Sequence, residues 1–294
     1  MSDSLLTTYR GCVNAWECDQ WGHQNVAFYL AKASDAQAAL CCEIGLTPSW
    51  LRSRDLTVTP MRDRVLFQRE LFSGDPVSIG SGVRRAGGSA LHCFSILAND
   101  ETGTRCTVFE TEARLADVAT GMPIDLPPDV VARASELAAA HAEHPPPAPI
   151  EGPRARDRTP EQAVLTHRGW IDSFERDETG WMPPRFQIAR FAQGASRLIE
   201  HLGLSTAAMV SRNLGVAALD YAIDYRLPLR PGQSIDIRSD VLELRGKVMR
   251  ICHYLLDSGR AEIATTLEVT LVFFDLTARK AVEMPTEIVH GRDQ

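Results

Sequence analysis

Glu17-Cys18-Asp19-Gln20-Trp21-Gly22-His23-Gln24-Asn25-Val26-Ala27-Phe28-Tyr29-Leu30 returns 158 residues later as Glu175-Arg176-Asp177-Glu178-Thr179-Gly180-Trp181-Met182-Pro183-Pro184-Arg185-Phe186-Gln187-Ile188. Without a gap, the same offset carries Arg10-Gly11 onto Arg168-Gly169, Gly45-Leu46 onto Gly203-Leu204 and Ser53-Arg54 onto Ser211-Arg212. It continues through Gly74 and Gly232, Glu110 and Glu268, and Asp117 and Asp275. Solenoid repeats have periods of roughly 20–50 residues, so this period reads as one whole domain duplicated. The quoted stretch is also where the copies diverge most. Function is to be sought there.

Working outward, a strand-like segment over 8–16 precedes the first Asp-Gly turn, and a helix is expected from 26 to 44. Val26, Tyr29, Leu30, Ala33, Leu40, Cys41 and Ile44 share one face at helical spacing, with Gln37 as the intruder. Asn25 stands at the N-cap position and Gly45 at C′. The second helix keeps the phase through Pro184, Ile188, Phe191, Ala195, Leu198, Ile199 and Leu202, closed by Gly203. Pro183-Pro184 suits a first helical turn, where a missing N–H costs nothing. Strand-like runs follow at 57–71, 77–85, 90–98 and 105–116, and in the second copy most clearly at 234–244 and 262–274. One helix and then antiparallel strands describe a curled sheet wrapped around a single helix, an α+β layout. The domains expected are 1–119 and 163–294. Between them, 120–162 is a linker with a short Ala-rich helix over 129–141 and a stiff polyproline-like strap over 144–153.

Composition narrows the function classes. Hydrophobic content of 44% and charged content of 23% are those of a globular chain that can build two cores. A net charge of −7 with no lysine-rich run argues against a nucleic-acid partner. The seven cysteines form no CxxC pair and leave an odd thiol, which fits free thiols in a reducing compartment. The first residues lack a basic n-region and a long apolar run, so no signal peptide and a cytoplasmic location are expected. No run approaches the ~18 uninterrupted apolar residues of a membrane span.

The first turn, Asp19-x-x-Gly22-His23-x-Asn25 directly before an amphipathic helix bearing Tyr29, resembles the hotdog-fold thioesterases of the 4-hydroxybenzoyl-CoA thioesterase-like superfamily. The resemblance covers both copies as domains, but the motif is complete only in the first. It implies two tandem hotdog domains pairing as an intramolecular pseudo-dimer, a double hotdog. It also implies an acyl-CoA or acyl-ACP thioesterase, with CoA part of the substrate and no separate cofactor. By resemblance Asp19 takes the family's catalytic acid position and the helix start its oxyanion site. The plant-type acyl-carrier-protein thioesterases are also double hotdogs but keep their catalytic set in the second copy, so only their architecture transfers.

The residues are compatible with that chemistry. A thioester is already activated, so its hydrolysis needs a carboxylate and an oxyanion stabiliser and no metal. Asp19 could attack the carbonyl or take a proton from water. The helix-start N–H groups of Val26 and Ala27 lack intrahelical acceptors and carry the positive end of the dipole. Asp19 also has a purely structural reading, an Asx-type turn, which Asp177 would share. His23 could polarise the carbonyl, hold a water or pack the helix start; Asn25 is most simply the cap. Trp21, Tyr29 and Trp181 are candidates for the acyl pocket, and Asp35 with its register-mate Gln193 for the cleft, although core packing and an exposed helix face explain these equally. In the second copy Trp181 and Met182 replace His23 and Gln24, and Pro183 supplies no N–H. One working site, in the first copy, is therefore expected.

Coenzyme A is anionic, so Arg62, Arg64, Arg84 and Arg85 are candidates for its phosphates, against ordinary surface charge. Two other functions compete: a hotdog hydratase or dehydratase, whose Asp-to-His interval is longer by one, and a non-catalytic acyl-CoA-binding protein. The pseudo-dimer either stops there or pairs again as a homodimer.

Overall fold

The computed structural model describes residues 5–140 and 144–291. The chain divides into two compact units, Met1–Pro149 and Ile150–Gln294.

The N-terminal unit contains β1 (Leu6–Cys12), α1 (Val26–Glu43), α2 (Pro48–Arg52), β2 (Leu56–Phe67), β3 (Pro76–Gly87), β4 (Ala90–Asn99), β5 (Thr104–Asp117) and α3 (Pro128–Ala140). Its strands run antiparallel in the order β1-β3-β4-β5-β2. α1 starts at the Asn25 cap, whose side chain accepts from the Ala27 amide at 3.0 Å. It ends in a Schellman motif, with Gly45 N–H to Cys42 O and Leu46 N–H to Cys41 O, and Gly45 at φ +97. Its buried face carries Tyr29, Leu30, Leu40, Cys41 and, just past the end, Ile44. Lys32 lies on that face too, and its charge is met rather than exposed: its ammonium sits 2.8 Å from both carboxylate oxygens of Glu17.

The C-terminal unit repeats the plan with β6 (Val164–Trp170), α4 (Pro184–His201), α5 (Thr206–Ser211), β7 (Leu214–Tyr225), β8 (Ser234–Arg245), β9 (Val248–Asp257) and β10 (Glu262–Asp275). A short β11 (Lys280–Ala281) pairs with β10, and α6 (Thr286–Gly291) follows. The order is β6-β8-β9-β10-β7, again antiparallel. The helix lies close to the sheet where it is smallest: a Cβ on Gly194 would stand 3.1 Å from Thr166 Oγ1 and 3.2 Å from Ile237 Cγ2. Ala36, fully buried, holds the matching place in the first unit. This is the helix-in-sheet arrangement expected from the pattern, formed twice.

The 120–162 stretch is not a detached linker. Leu126, Val130 and Ala134, on α3 and the approach to it, pack into the core formed by Leu40, Ile44, Leu91 and Leu115. The division between the units falls within the polyproline strap, after Pro149. A polyproline backbone leaves its carbonyls unpaired, and arginines use them. Arg84 donates to His144 O and Arg64 to Ala148 O in the first unit. In the second, Arg250 donates to Glu151 O and Pro153 O at 2.9 and 2.8 Å. Residue 141, the expected end of the Ala-rich helix, lies outside the described residues.

Candidate active site

The Asp19 turn is closed by its own side chain. Asp19 Oδ1 accepts from the amides of Trp21 (2.9 Å) and His23 (3.2 Å), Asp19 N–H donates to His23 O, and Gly22 N–H returns to Asp19 O. Gly22 takes φ +81, which a side chain rarely tolerates. Asp177 builds the same turn: its Oδ1 accepts from the amides of Thr179 (2.8 Å) and Trp181 (3.1 Å), and Gly180 has φ +84. The structural reading of Asp19 as a turn-maker therefore holds in both units. The environments differ. Asp177 Oδ1 also receives the Thr179 hydroxyl at 2.6 Å, whereas Trp21, at that position, has no hydroxyl to offer. Among the described residues no hydrogen bond engages Asp19 Oδ2, and the side chain is only half-buried.

The turn delivers the chain to α1. Asn25 N–H donates to Glu17 O, and the Asn25 side chain occupies the Ala27 amide. That corrects the assignment of Ala27 as an oxyanion donor, since its N–H is spent on the cap. Val26, the first helical residue, has no intrahelical acceptor, and no other partner engages its amide among the described residues. In the second unit the same position is Pro184, which has no N–H at all.

His23 is held from outside its own turn. Its Nδ1 lies 3.5 Å from Glu70 Oε1, and its ring meets Phe72 edge-on at 5.2 Å. Glu70 was not found in the sequence, because it lies far along the chain between β2 and β3. In the second unit His23 becomes Trp181, Glu70 becomes Pro228 and Phe72 becomes Arg230. There the guanidinium of Arg230 stands over the Trp181 ring at 5.9 Å, so the imidazole–carboxylate pair is replaced by an indole–cation stack.

The remaining candidates are dispersed. Tyr29 is buried against Phe67, rings edge-on at 5.4 Å; burial raises its phenol well above the usual range, and a backbone bond from Leu71 only partly opposes this. Trp181 is buried, and Trp21 is half-buried beside the turn. Asp35 and Gln193 stand on exposed faces of α1 and α4. Of the arginines, Arg84 is committed: both arms face Glu110, it donates to the strap, and it lies 3.9 Å over the Phe94 ring. Arg64 likewise holds the strap, so neither is carried forward as a phosphate ligand. Arg62 is exposed and 3.5 Å from Glu112, and Arg85 is exposed beside His92.

Among the described residues no cluster of three or more His, Cys, Asp or Glu side chains could hold a metal ion. No helix of theirs is long and apolar enough to cross a membrane.

The family described as the Thioesterase-like superfamily matches the chain twice, over residues 13–134 and 168–291. No curated protein matches the sequence. Solved structures match over nearly the whole chain. One, from Lactobacillus plantarum with a provisional oleoyl-thioesterase assignment, is 12% identical with a TM-score of 0.73, over 92% of this chain and 97% of its own. An acyl-ACP thioesterase from Bacteroides thetaiotaomicron is 14% identical with a TM-score of 0.65, over 93% and 100%. The 12:0-ACP thioesterase from Umbellularia californica is 12% identical with a TM-score of 0.65, over 90% and 92%. At these identities the likeness is one of fold.

Proposed function

Because the chain belongs to the thioesterase-like superfamily, with two tandem hotdog domains, we propose that its N-terminal unit hydrolyses an acyl thioester of coenzyme A or acyl carrier protein. The observation that carries this reading is the asymmetry of the repeat. Both units keep the Asp turn, but only the first adds a histidine–carboxylate pair and an unengaged amide at the helix start. A turn kept for folding alone needs neither addition. The second unit serves as scaffold.

In this reading the two turn amides fix the Asp19 carboxylate through Oδ1 and leave Oδ2 for chemistry. As general base, Oδ2 takes a proton from water while the resulting hydroxide adds to the thioester carbonyl carbon. As nucleophile, Oδ2 adds to that carbon itself, and water then hydrolyses the mixed anhydride. On either route the carbonyl oxygen becomes anionic and accepts from the Val26 N–H at the positive end of α1. Collapse expels the thiolate, which is protonated to the free thiol, and the acid is released. His23, oriented by Glu70, holds the water or the carbonyl. The titratable groups and amides supply all of this chemistry. Of the four candidate arginines, Arg85 and Arg62 are the exposed two left for the phosphates of the carrier.

Release of free thiol from a panel of acyl-CoA and acyl-ACP thioesters tests the proposal. Turnover by the wild type, lost in Asp19→Asn, supports it. Asparagine keeps an oxygen for the two turn amides and removes only the carboxylate. The identical Asp turn of the second unit favours one competitor, an acyl-CoA-binding protein without turnover. Tight binding with no thiol release by the wild type would establish that reading instead. Single turnover in ¹⁸O-water tests the nucleophilic route: label in Asp19 requires a mixed anhydride that water opens at the aspartyl carbon.

A further inference from the structure

We propose that Gln24 makes the acyl side of the N-terminal site selective for acyl groups bearing a hydroxyl at the second or third carbon; this rests on the thioesterase reading and adds its substrate class. Gln24 is only 4% exposed, and neither Nε2 nor Oε1 has a hydrogen-bond partner among the described residues. A buried amide in that state has lost its hydration without compensation. The backbone at this position does not require the amide. Gln24 N–H donates to Leu71 O at 2.8 Å, and in the other unit Met182 N–H donates to Leu229 O at 2.7 Å. A thioether, just as buried, satisfies the same fold. The amide is therefore surplus to folding and placed for something else.

A second unsatisfied group stands where the repeat places the counterpart of a polar chain that the other unit closes. In the C-terminal unit a polar chain is closed: Thr265 Oγ1 donates to Gln187 Oε1 at 2.6 Å, and Gln187 Nε2 donates to Met182 O at 3.1 Å. In the N-terminal unit Tyr29 takes the place of Gln187, and its phenol turns to the Leu71 backbone instead. Thr107, the counterpart of Thr265, is fully buried with its hydroxyl unpartnered. The N-terminal unit thus leaves a donor and an acceptor on Gln24, and a hydroxyl on Thr107, without partners among the described residues, at the positions the repeat maps onto the closed chain of the other unit.

The complement of these groups is a neutral group that both accepts and donates, which an alcohol does. A saturated acyl chain would leave all three atoms unpaired, and a carboxylate would place charge against Gln24 Oε1. Along the chain Gln24 lies between His23 and Asn25 and two residues before Val26. Its partner on the substrate is therefore close to the reacting carbonyl rather than at a distant chain end. A site built around a hydroxyl rejects the analogue without it far more strongly than an apolar pocket rejects an added methylene.

Calorimetric titration of the full chain with hydrolysis-resistant ketone analogues of 3-hydroxybutyryl-CoA, 2-hydroxybutyryl-CoA and butyryl-CoA tests this. The wild type is expected to bind a hydroxyl analogue at least about 30-fold more tightly than the plain one. Gln24→Met, which installs the residue the other unit already uses, is expected to cut that ratio to within about threefold. Thr107→Val is the second variant, should Gln24→Met fail to fold, and is expected to cut the ratio about tenfold. Equal wild-type affinities, no binding of any analogue, or a ratio unchanged in the variants would overturn the proposal. Thiol release from the parent thioesters is scored separately: its absence counts against hydrolysis, while the binding ratio still judges Gln24.

Discussion

Glu17 and Lys32 form a buried ion pair that ties the turn to the helix: both carboxylate oxygens lie 2.8 Å from the ammonium. The same bond recurs 158 residues later between Glu175 and Arg190, at 2.8 Å. Even its surroundings repeat. Lys32 also reaches Cys12 O and Arg190 reaches Trp170 O, while Glu17 and Glu175 each accept one turn amide, from Asn14 and Asp172. The lysine side chain is 4% exposed, so removing one partner strands the other charge in a desolvated place. Lys32→Met is expected to cost about 3–5 kcal/mol, and Glu17→Gln with Lys32→Met to recover a large part of it. Urea denaturation of both variants measures this. A double variant no more stable than the single one would show that the pair acts through packing and not through charge.

Acid should find a weak point in the C-terminal unit. His253 is fully buried, its Nδ1 2.6 Å from Ser239 Oγ, and desolvation depresses its pKa to about 3. The unfolded chain takes up this proton near pH 6.5 and the folded one does not. Below pH 6.5 the unfolded state therefore binds more protons, and stability falls with pH until the folded group also titrates. Each pH unit in that window costs about 1.4 kcal/mol from this group. His253→Asn is expected to flatten the dependence of the denaturation midpoint between pH 6.5 and 4. An unchanged slope would assign the acid sensitivity elsewhere.

How legible this was depends on range along the chain. The 158-residue register, the Asn25 cap, the Gly45 stop and most strand limits rest on neighbours within a turn or along one strand, and they were readable. So was the Asp19 turn, because aspartate and glycine three apart make it by local bonds. His23 to Glu70 was not, since it joins groups 47 positions apart and carries no periodic signal. Two of the four candidate arginines were illegible for a related reason: Arg64 and Arg84 spend donors on bare strap carbonyls that only the fold brings near. Nothing local in the sequence marks Lys32 either, because its partner Glu17 stands 15 residues away.

Removing the carboxylate should separate the two units. Asp19→Asn is expected to cut kcat by about 100-fold or more, while Asp177→Asn leaves most of it, since Pro184 and Trp181 deprive the second turn of a donor and an imidazole. Both variants keep the turn oxygen, so equal thermal midpoints are expected. Comparable activity losses in the two would show that the single-site assignment is wrong.

Hydrolysis is expected to survive a chelator unchanged, because the proposed groups are a carboxylate, an imidazole and a backbone amide. Thiol release after dialysis against EDTA, compared with the untreated protein, decides it. Loss of activity restored by a divalent ion would require a different mechanism.

The sharpest test copies one unit into the other at Val26. Proline is well tolerated at the first helical position, where the N–H has no helical acceptor to lose. The residue before it must be extended, and Asn25 already is, at φ −66 and ψ 141. Pro184 occupies the same first position of an equally long helix. Val26→Pro therefore removes one amide hydrogen and little else. If that hydrogen stabilises the oxyanion, kcat should fall by about 10²- to 10³-fold with the thermal midpoint nearly unmoved. The cap on Ala27 is untouched by the change, so the helix start stays closed. A variant that folds normally and turns over at the wild-type rate would move the oxyanion away from the start of α1.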